Sequence, residues 1–165
     1  MSTWVFTHGS LMAEPPFRVR RSSVATVEGW HRTFGHPSIR NWGTAAAPAP
    51  TSALARGGSV TGVAHLVEAS VIGQIMARES SDPIEVSTAL EHHVVPALTW
   101  LMTNRWSSRP VSMLASLARA NVRAGGGPLG DAHDYLRCVR DGLAWYGAVD
   151  QFADCYLTAL RCLTD

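Results

Sequence analysis

Apolar and polar positions along this chain change period partway, dividing it into strands first and helices last. The apolar run Trp4-Val5-Phe6 ends at Thr7-His8-Gly9-Ser10, which predicts a strand feeding straight into a turn. After the break at Glu14-Pro15-Pro16, residues 23–34 are rich in β-branched and aromatic side chains. Their imperfect alternation suits a curved or bulged barrel strand. Residues 35–58 read as loop, and the low-complexity run Ala45-Ala46-Ala47-Pro48-Ala49-Pro50 within them reads as extended and mobile. Residues 59–67 predict a second strand, in which Gly62 marks a bulge or a close backbone approach.

At Glu68 the period becomes helical. Val71, Ile72, Ile75 and Met76 share one face over residues 68–78, and Pro83 forbids continuation. Residues 84–90 and 94–103 predict two more strands, the second almost wholly apolar and therefore central. Residues 112–123 place Leu114, Leu117 and Ala118 at helical spacing before Gly125-Gly126-Gly127-Pro128 stops them. Asp131 is placed to cap a helix with Leu136, Val139, Leu143 and Tyr146 on one face, ending at Gly147. Asp150 is placed to cap a last helix whose stripe is Phe152, Tyr156, Leu160 and Leu163. Strands before helices, with one helix embedded, is an α+β order and not a βαβ repeat.

Length and composition narrow the class. The chain has 165 residues, enough for one domain with a full core. Its charged fraction of 16% is low, and its basic side chains are scattered arginines with a net charge of +1, not the footprint of a nucleic-acid binder. Cys138, Cys155 and Cys162 are odd in number and lack compact spacing, so they read as buried thiols in a reducing compartment. The N-terminus has neither a basic n-region nor an apolar h-region, and no apolar run approaches a membrane span. The expectation is a soluble cytoplasmic protein with no nucleic-acid or membrane partner.

Candidate chemistry is sparse. Glu91-His92-His93 is the densest of the histidine clusters, but adjacent strand residues point to opposite faces, so both rings cannot serve one ion on a regular strand. No His-Glu-x-x-His, Cys-x-x-Cys or phosphate loop is present, and His8-Gly9-Ser10-Leu11 is only half of a nucleophile elbow. The turn at Gly9-Ser10 admits two readings. It is an ordinary turn, or a place where glycine permits a positive φ or a close ligand and successive amides cradle an anion or carbonyl. Glu79, at the C-terminal end of its helix, meets the negative pole of the helix dipole, which raises a carboxylate's pKa toward the range of a general base. The alternative is a solvated helix end paired with Arg78. Tyr135 either offers a phenol to a pocket or is a half-buried aromatic. Trp30, Trp42, Trp100, Trp106 and Trp145 read as packing residues.

Several of these pieces resemble one family in the same order. Val5-Phe6-Thr7-His8-Gly9-Ser10-Leu11 resembles the Val-Phe-Gly-Tyr-Gly-Ser-Leu segment that opens the ChaC-type, glutathione-specific γ-glutamylcyclotransferases. Gly29-Trp30-His31-Arg32-Thr33-Phe34 is similar to their Gly-aromatic-x-Arg-x-Phe strand, and residues 57–64 to their Gly-Gly-x-x-x-Gly-Val-Ala strand. Arg78-Glu79 falls where they carry Arg-Glu, and Asn104-Arg105 and Asp134-Tyr135-Leu136 also match.

The resemblance spans nearly the whole chain and implies one domain over residues 1–165, a mixed barrel-like sheet flanked by helices with a helical C-terminal third. It implies a lyase of glutathione degradation that cyclises a γ-glutamyl amide to 5-oxoproline and releases the amine, Cys-Gly for glutathione. Glu79 would be the general base and acid. Thr7, His8, Gly9, Ser10, Leu11 and Tyr135 would bind the small-molecule γ-glutamyl substrate. No metal or organic cofactor is implied. This chain departs from the pattern at Thr7 (glycine in the family), His8 (tyrosine), Trp42 (arginine) and Ala45 (proline). These departures keep two alternatives open: a different γ-glutamyl amine as substrate, or a non-catalytic γ-glutamyl-binding protein of the same fold.

Overall fold

Five strands close into a barrel in the order β1-β3-β2-β4-β5. The computed structural model describes residues 1–79 and 81–162, with 161 and 162 as backbone only. The strands are β1 (Ser2–Thr7), β2 (Val19–Ser38), β3 (Ala49–Glu68), β4 (Ile84–Ala89) and β5 (Val94–Thr99). The helices are α1 (Ile72–Glu79), α2 (Val111–Arg123), α3 (Ala132–Ala144) and α4 (Gln151–Cys162). Neighbouring strands run antiparallel except β5 and β1, whose parallel pairs Trp4–Ala97 and Val5–Leu98 close the barrel.

The β2–β3 hairpin is longer than periodicity indicates. Residues 35–38 and 49–58, expected as loop, are strand, and Pro37 pairs with Pro50 across the ladder. Ala49 shares a cluster with Phe34, Val63 and the distant helix residues Leu114, Ala118, Leu136, Val139, Leu143 and Tyr156, while Leu54 joins the filling of the barrel. The expected irregularity of β2 is present as register shifts, one of them between Glu28 and Trp30. There Gly29, Gly57 and Gly58 take φ of +79°, +97° and +70°, which allows the ladder to bend.

The expected mobile alanine–proline run is instead anchored. Ala49 and Pro50 belong to β3, and Asn121 of α2 donates to the carbonyls of Trp42 (3.1 Å) and Ala47 (2.9 Å).

All five strands contribute to one apolar cluster that includes Phe6, Val27, Val60, Val86 and Ala97, the barrel's filling. Val5 points to the other face. With Val67 and Trp100 it packs on Leu11, Val71 and Ile75, which seats the short α1 against the barrel wall. β5 is not the doubly buried strand its composition suggests, since Val94 is 66% exposed and burial alternates. It also stops at Thr99, four residues early.

Asp131 and Asp134 form a capping box at α3, and Asp150 Oδ1 accepts the Ala153 amide (2.9 Å) at the start of α4. Of the expected packing tryptophans, Trp145 is 85% exposed. Of the expected buried thiols, Cys138 is half-buried and Cys155 is exposed, because it lies off the Tyr156 face of α4. The Cys162 side chain and Leu163 lie outside the described residues. Among the described residues no helix is long and apolar enough to cross a membrane.

Candidate active site

A cavity of about 340 Å³ opens where the turn after β1, the β2–β3 loop, the end of α1, the segment after β5 and Tyr135 of α3 meet. That volume suits a small molecule. Thr7, His8, Gly9, Ser10, Leu11, Glu79 and Tyr135, scattered over more than a hundred positions of sequence, all border it.

The floor is the turn. A single 3-10 turn over Ser10–Met12 is closed by Met12 N to Gly9 O (3.1 Å) and Ala13 N to Ser10 O (3.3 Å). Gly9 has φ −127°, so handedness does not demand glycine here. Space does: an added Cβ would lie 2.7 Å from the Tyr135 hydroxyl oxygen. Of the two options for Gly9 raised by the sequence, positive φ does not hold, and the close neighbour that requires glycine is the Tyr135 hydroxyl and not a ligand.

Thr7 and His8 point inward from this turn with their polar atoms engaged. Thr7 Oγ1 donates to Val63 O (3.0 Å). His8 Nε2 lies 2.7 Å from the Trp100 carbonyl, and Nδ1 lies 2.8 Å from Ser52 Oγ. Burial lowers the His8 pKa to about 4, so the ring is neutral at physiological pH. A carbonyl only accepts, so the proton sits on Nε2 and Nδ1 offers a lone pair to Ser52. Ser52 Oγ is also 2.9 Å from His8 O, and its single proton serves one acceptor at a time.

Ser52 ties a second element in. Its backbone N–H donates to Tyr135 Oη (2.8 Å), which leaves the phenol's own proton to be given away. Burial pushes the Tyr135 pKa well up, so the group stays a neutral donor. Its ring packs edge-on against Trp42 at 5.2 Å, and Trp42 forms the wall beside it.

Glu79 stands at the C-terminal end of α1 with its side chain 18% exposed. Its pKa is raised, as expected, but burial is the main cause and not the helix dipole; the adjacent Arg78 guanidinium opposes the shift. Arg78 Nε is 3.4 Å from Glu79 Oε1, and Arg78 Nη2 is 3.5 Å from Ser10 Oγ, so this arginine spans from the carboxylate to the turn. The pairing anticipated as an alternative is therefore real, yet it occurs in the cavity wall and not in solvent. Arg40 and Arg105 border the same cavity and make its rim cationic.

Sequence reasoning missed Ser52, Trp100 and the buried pair of Arg32 with Asp150. Arg32 lay within a recognised strand pattern, but nothing in that pattern announces a buried charge. Ser52 fell in a stretch read as loop. His92 and His93 lie in the β4–β5 turn, not on a strand, and are exposed and absent from the cavity lining.

Known proteins give the comparison. A family described as ChaC-like protein matches residues 3–163. The glutathione-specific γ-glutamylcyclotransferase of Escherichia coli K12 is 28% identical, over 96% of this chain and 72% of that protein. A crystal structure of the yeast γ-glutamyl cyclotransferase specific to glutathione superposes with a TM-score of 0.83 at 16% identity, covering 97% of this chain and 96% of that one. A further γ-glutamyl cyclotransferase structure has a TM-score of 0.64 at 16% identity, over 94% and 86% of the two chains. At these identities the two structures speak for the fold.

Proposed function

The chain belongs to the ChaC-like protein family, and from that membership we propose that it is a γ-glutamylcyclotransferase acting on glutathione. The observation that carries the reading is the meeting of Glu79 with the Gly9–Leu11 turn in one cavity of substrate size.

The chemistry follows from the substrate. The α-amine of a γ-glutamyl group attacks its own γ-carbonyl carbon. A five-membered ring closes, the amide C–N bond breaks, and 5-oxoproline and Cys-Gly leave. The step is intramolecular, and what the site adds by holding the substrate folded is a near-attack geometry of amine and carbonyl. The remaining work is proton transfer. The ammonium gives up two protons on becoming a ring amide nitrogen, and the departing nitrogen gains two on becoming an ammonium. One carboxylate that takes and returns them balances the reaction without water or a cofactor.

Glu79 has the properties for that role. Burial raises its pKa above the ordinary carboxylate value, the direction that suits a group which takes and returns protons. The amides of the Gly9–Leu11 turn would face the charge that develops on the carbonyl oxygen. Arg40 and Arg105 suit a leaving amine that bears a carboxylate, which supports glutathione even though Trp42 stands where the family has an arginine.

The test is 5-oxoproline release from glutathione beside a panel of uncharged γ-glutamyl amines. Turnover of glutathione is the expected result. Turnover confined to another amine would move the substrate. Thermal stabilisation by these compounds without turnover of any would leave a binding protein.

A further inference from the structure

Beneath the turn lies a charge that does not itself line the cavity. Arg32 of β2 is buried, with its side chain 1% exposed, and it is absent from the cavity lining. Its guanidinium reaches both sides of the Gly9–Leu11 turn. Nε donates to His8 O (2.9 Å), immediately before the turn, and Nη2 lies 3.8 Å from Met12 Sδ, at its end. Nη2 also donates to Thr61 O of β3 (2.7 Å), which ties the same group to the barrel. Nη1 pairs with Asp150 Oδ2, while the other oxygen of Asp150 caps α4. One guanidinium thus joins turn, sheet and C-terminal helix.

We infer that Arg32, held by Asp150, is a positioning residue that fixes the shape of the Gly9–Leu11 turn and polarises its first peptide. Two arguments carry this. A buried ion pair is a poor way to gain stability, since an apolar pair of similar volume commonly does as well or better, so what the pair supplies here is geometry. Moreover, His8 C=O and Gly9 N–H belong to one peptide group. A charged donor on that oxygen strengthens the N–H on its other side as a donor at the cavity wall. Arg32 is the fixed donor to this oxygen, because the Ser52 proton is shared with His8 Nδ1.

The kinetic consequence rests on the cyclotransferase reading; the shape of the turn does not, and the experiment separates the two. The test variant is the double substitution Arg32→Met with Asp150→Leu, which fills the space without charge. Asp150→Asn serves if the double variant does not fold, since asparagine also caps helices. Amide hydrogen exchange is read over residues 8–12, with α2 as the internal reference. Steady-state kinetics are read with glutathione. The expected result is exchange at least tenfold faster over 8–12 with α2 unchanged, and KM raised at least tenfold with a smaller loss in kcat. Arg32→Lys, which keeps the charge but not the fork, is expected to fall between variant and wild type. Wild-type exchange over 8–12 in a folded variant overturns the inference, as does kcat/KM within twofold of wild type. If the wild-type protein turns over no γ-glutamyl compound, the functional reading fails, and exchange alone decides the role of Arg32.

Discussion

The carbonyl of Trp100 sits 2.7 Å from His8 Nε2 and thereby sets the tautomer of a histidine buried in the cavity wall. Trp100 follows β5 and His8 follows β1, the two strands whose parallel pairing closes the barrel. The bond therefore stitches the closing seam just above its last pairs, and four consequences of this site's construction can be measured.

Acid should weaken the fold through His8. Its folded pKa of about 4 lies below the ordinary value of 6.5, so the unfolded chain binds more protons between those limits, and stability falls as pH drops through that window. The full penalty is about 3 kcal/mol and is reached only below the folded pKa. His36 and His65 are shifted the same way by burial and add to the slope. Melting temperature measured from pH 8 to pH 4 should be flat at first and then decline. In His8→Gln the decline should be shallower. An equally steep decline in the variant would refute the assignment.

Glu79→Gln should separate activity from stability. The folded state favours the protonated carboxyl, so at pH well above its raised pKa the charged form costs stability, and that cost disappears as pH falls. Glutamine mimics the protonated form. Release of 5-oxoproline should fall at least ~1000-fold, at the upper end of what proton transfer contributes plus the lost balance of protons. The melting temperature at pH 8 should be equal to or above that of the wild type. A variant retaining full turnover would remove Glu79 from the mechanism.

Gly9→Ala should be repaired in part by Tyr135→Phe. Alanine tolerates φ −127°, so its cost comes from the contact with the Tyr135 hydroxyl, about 1–3 kcal/mol for overpacking. Tyr135→Phe alone leaves the buried Ser52 N–H unpaired, a further loss of about 1–3 kcal/mol. Because removing the hydroxyl also makes room for the methyl, urea denaturation should show the double variant losing less than the two singles together. Strict additivity would mean that the contact is relieved in some other way.

Asn121→Leu should loosen the cavity rim at a distance. Its amide donates to Trp42 O and Ala47 O and accepts the Ala132 amide (2.8 Å), all in a fully buried position. Leucine leaves these groups unpaired, at a cost of about 3 kcal/mol or more. For a chain of this length that is a fall in melting temperature on the order of 10 °C. Trp42 fluorescence quenching should rise, since the β2–β3 loop loses its tether. An unchanged melting temperature would mean that the loop is held by other contacts.

Much of the architecture was legible along the chain. Alternation located β1, β4 and the second half of β3, and helical spacing with its caps located α1, α2 and α3 to within a few residues. Asp131 and Asp150 were readable as caps because an N-cap is a local device: the side chain bonds amides two or three residues away. The turn at Gly9-Ser10 and Glu79 after α1 were also visible as candidates, and their shared order with Tyr135 pointed to a single family.

What the linear chain did not reveal depends on contacts between distant segments. Residues 35–38 and 49–58 look like loop because alanine, proline and glycine carry no strand period, and what makes them strand is the β2–β3 pairing, with Ala49 buried against the helices and Leu54 in the barrel. Glu79 takes its raised pKa from burial in a wall assembled from five segments, not from its own helix. Ser52, Trp100 and Arg32 became part of the site through partners 44, 92 and 24 positions away at His8. Local periodicity and capping are fixed by interactions within a few residues, so the sequence by itself determined most of the elements and pointed to the family. Burial, tautomer and pairing are set by groups brought together only when the barrel closes, so the tertiary structure alone decided how the cavity is built.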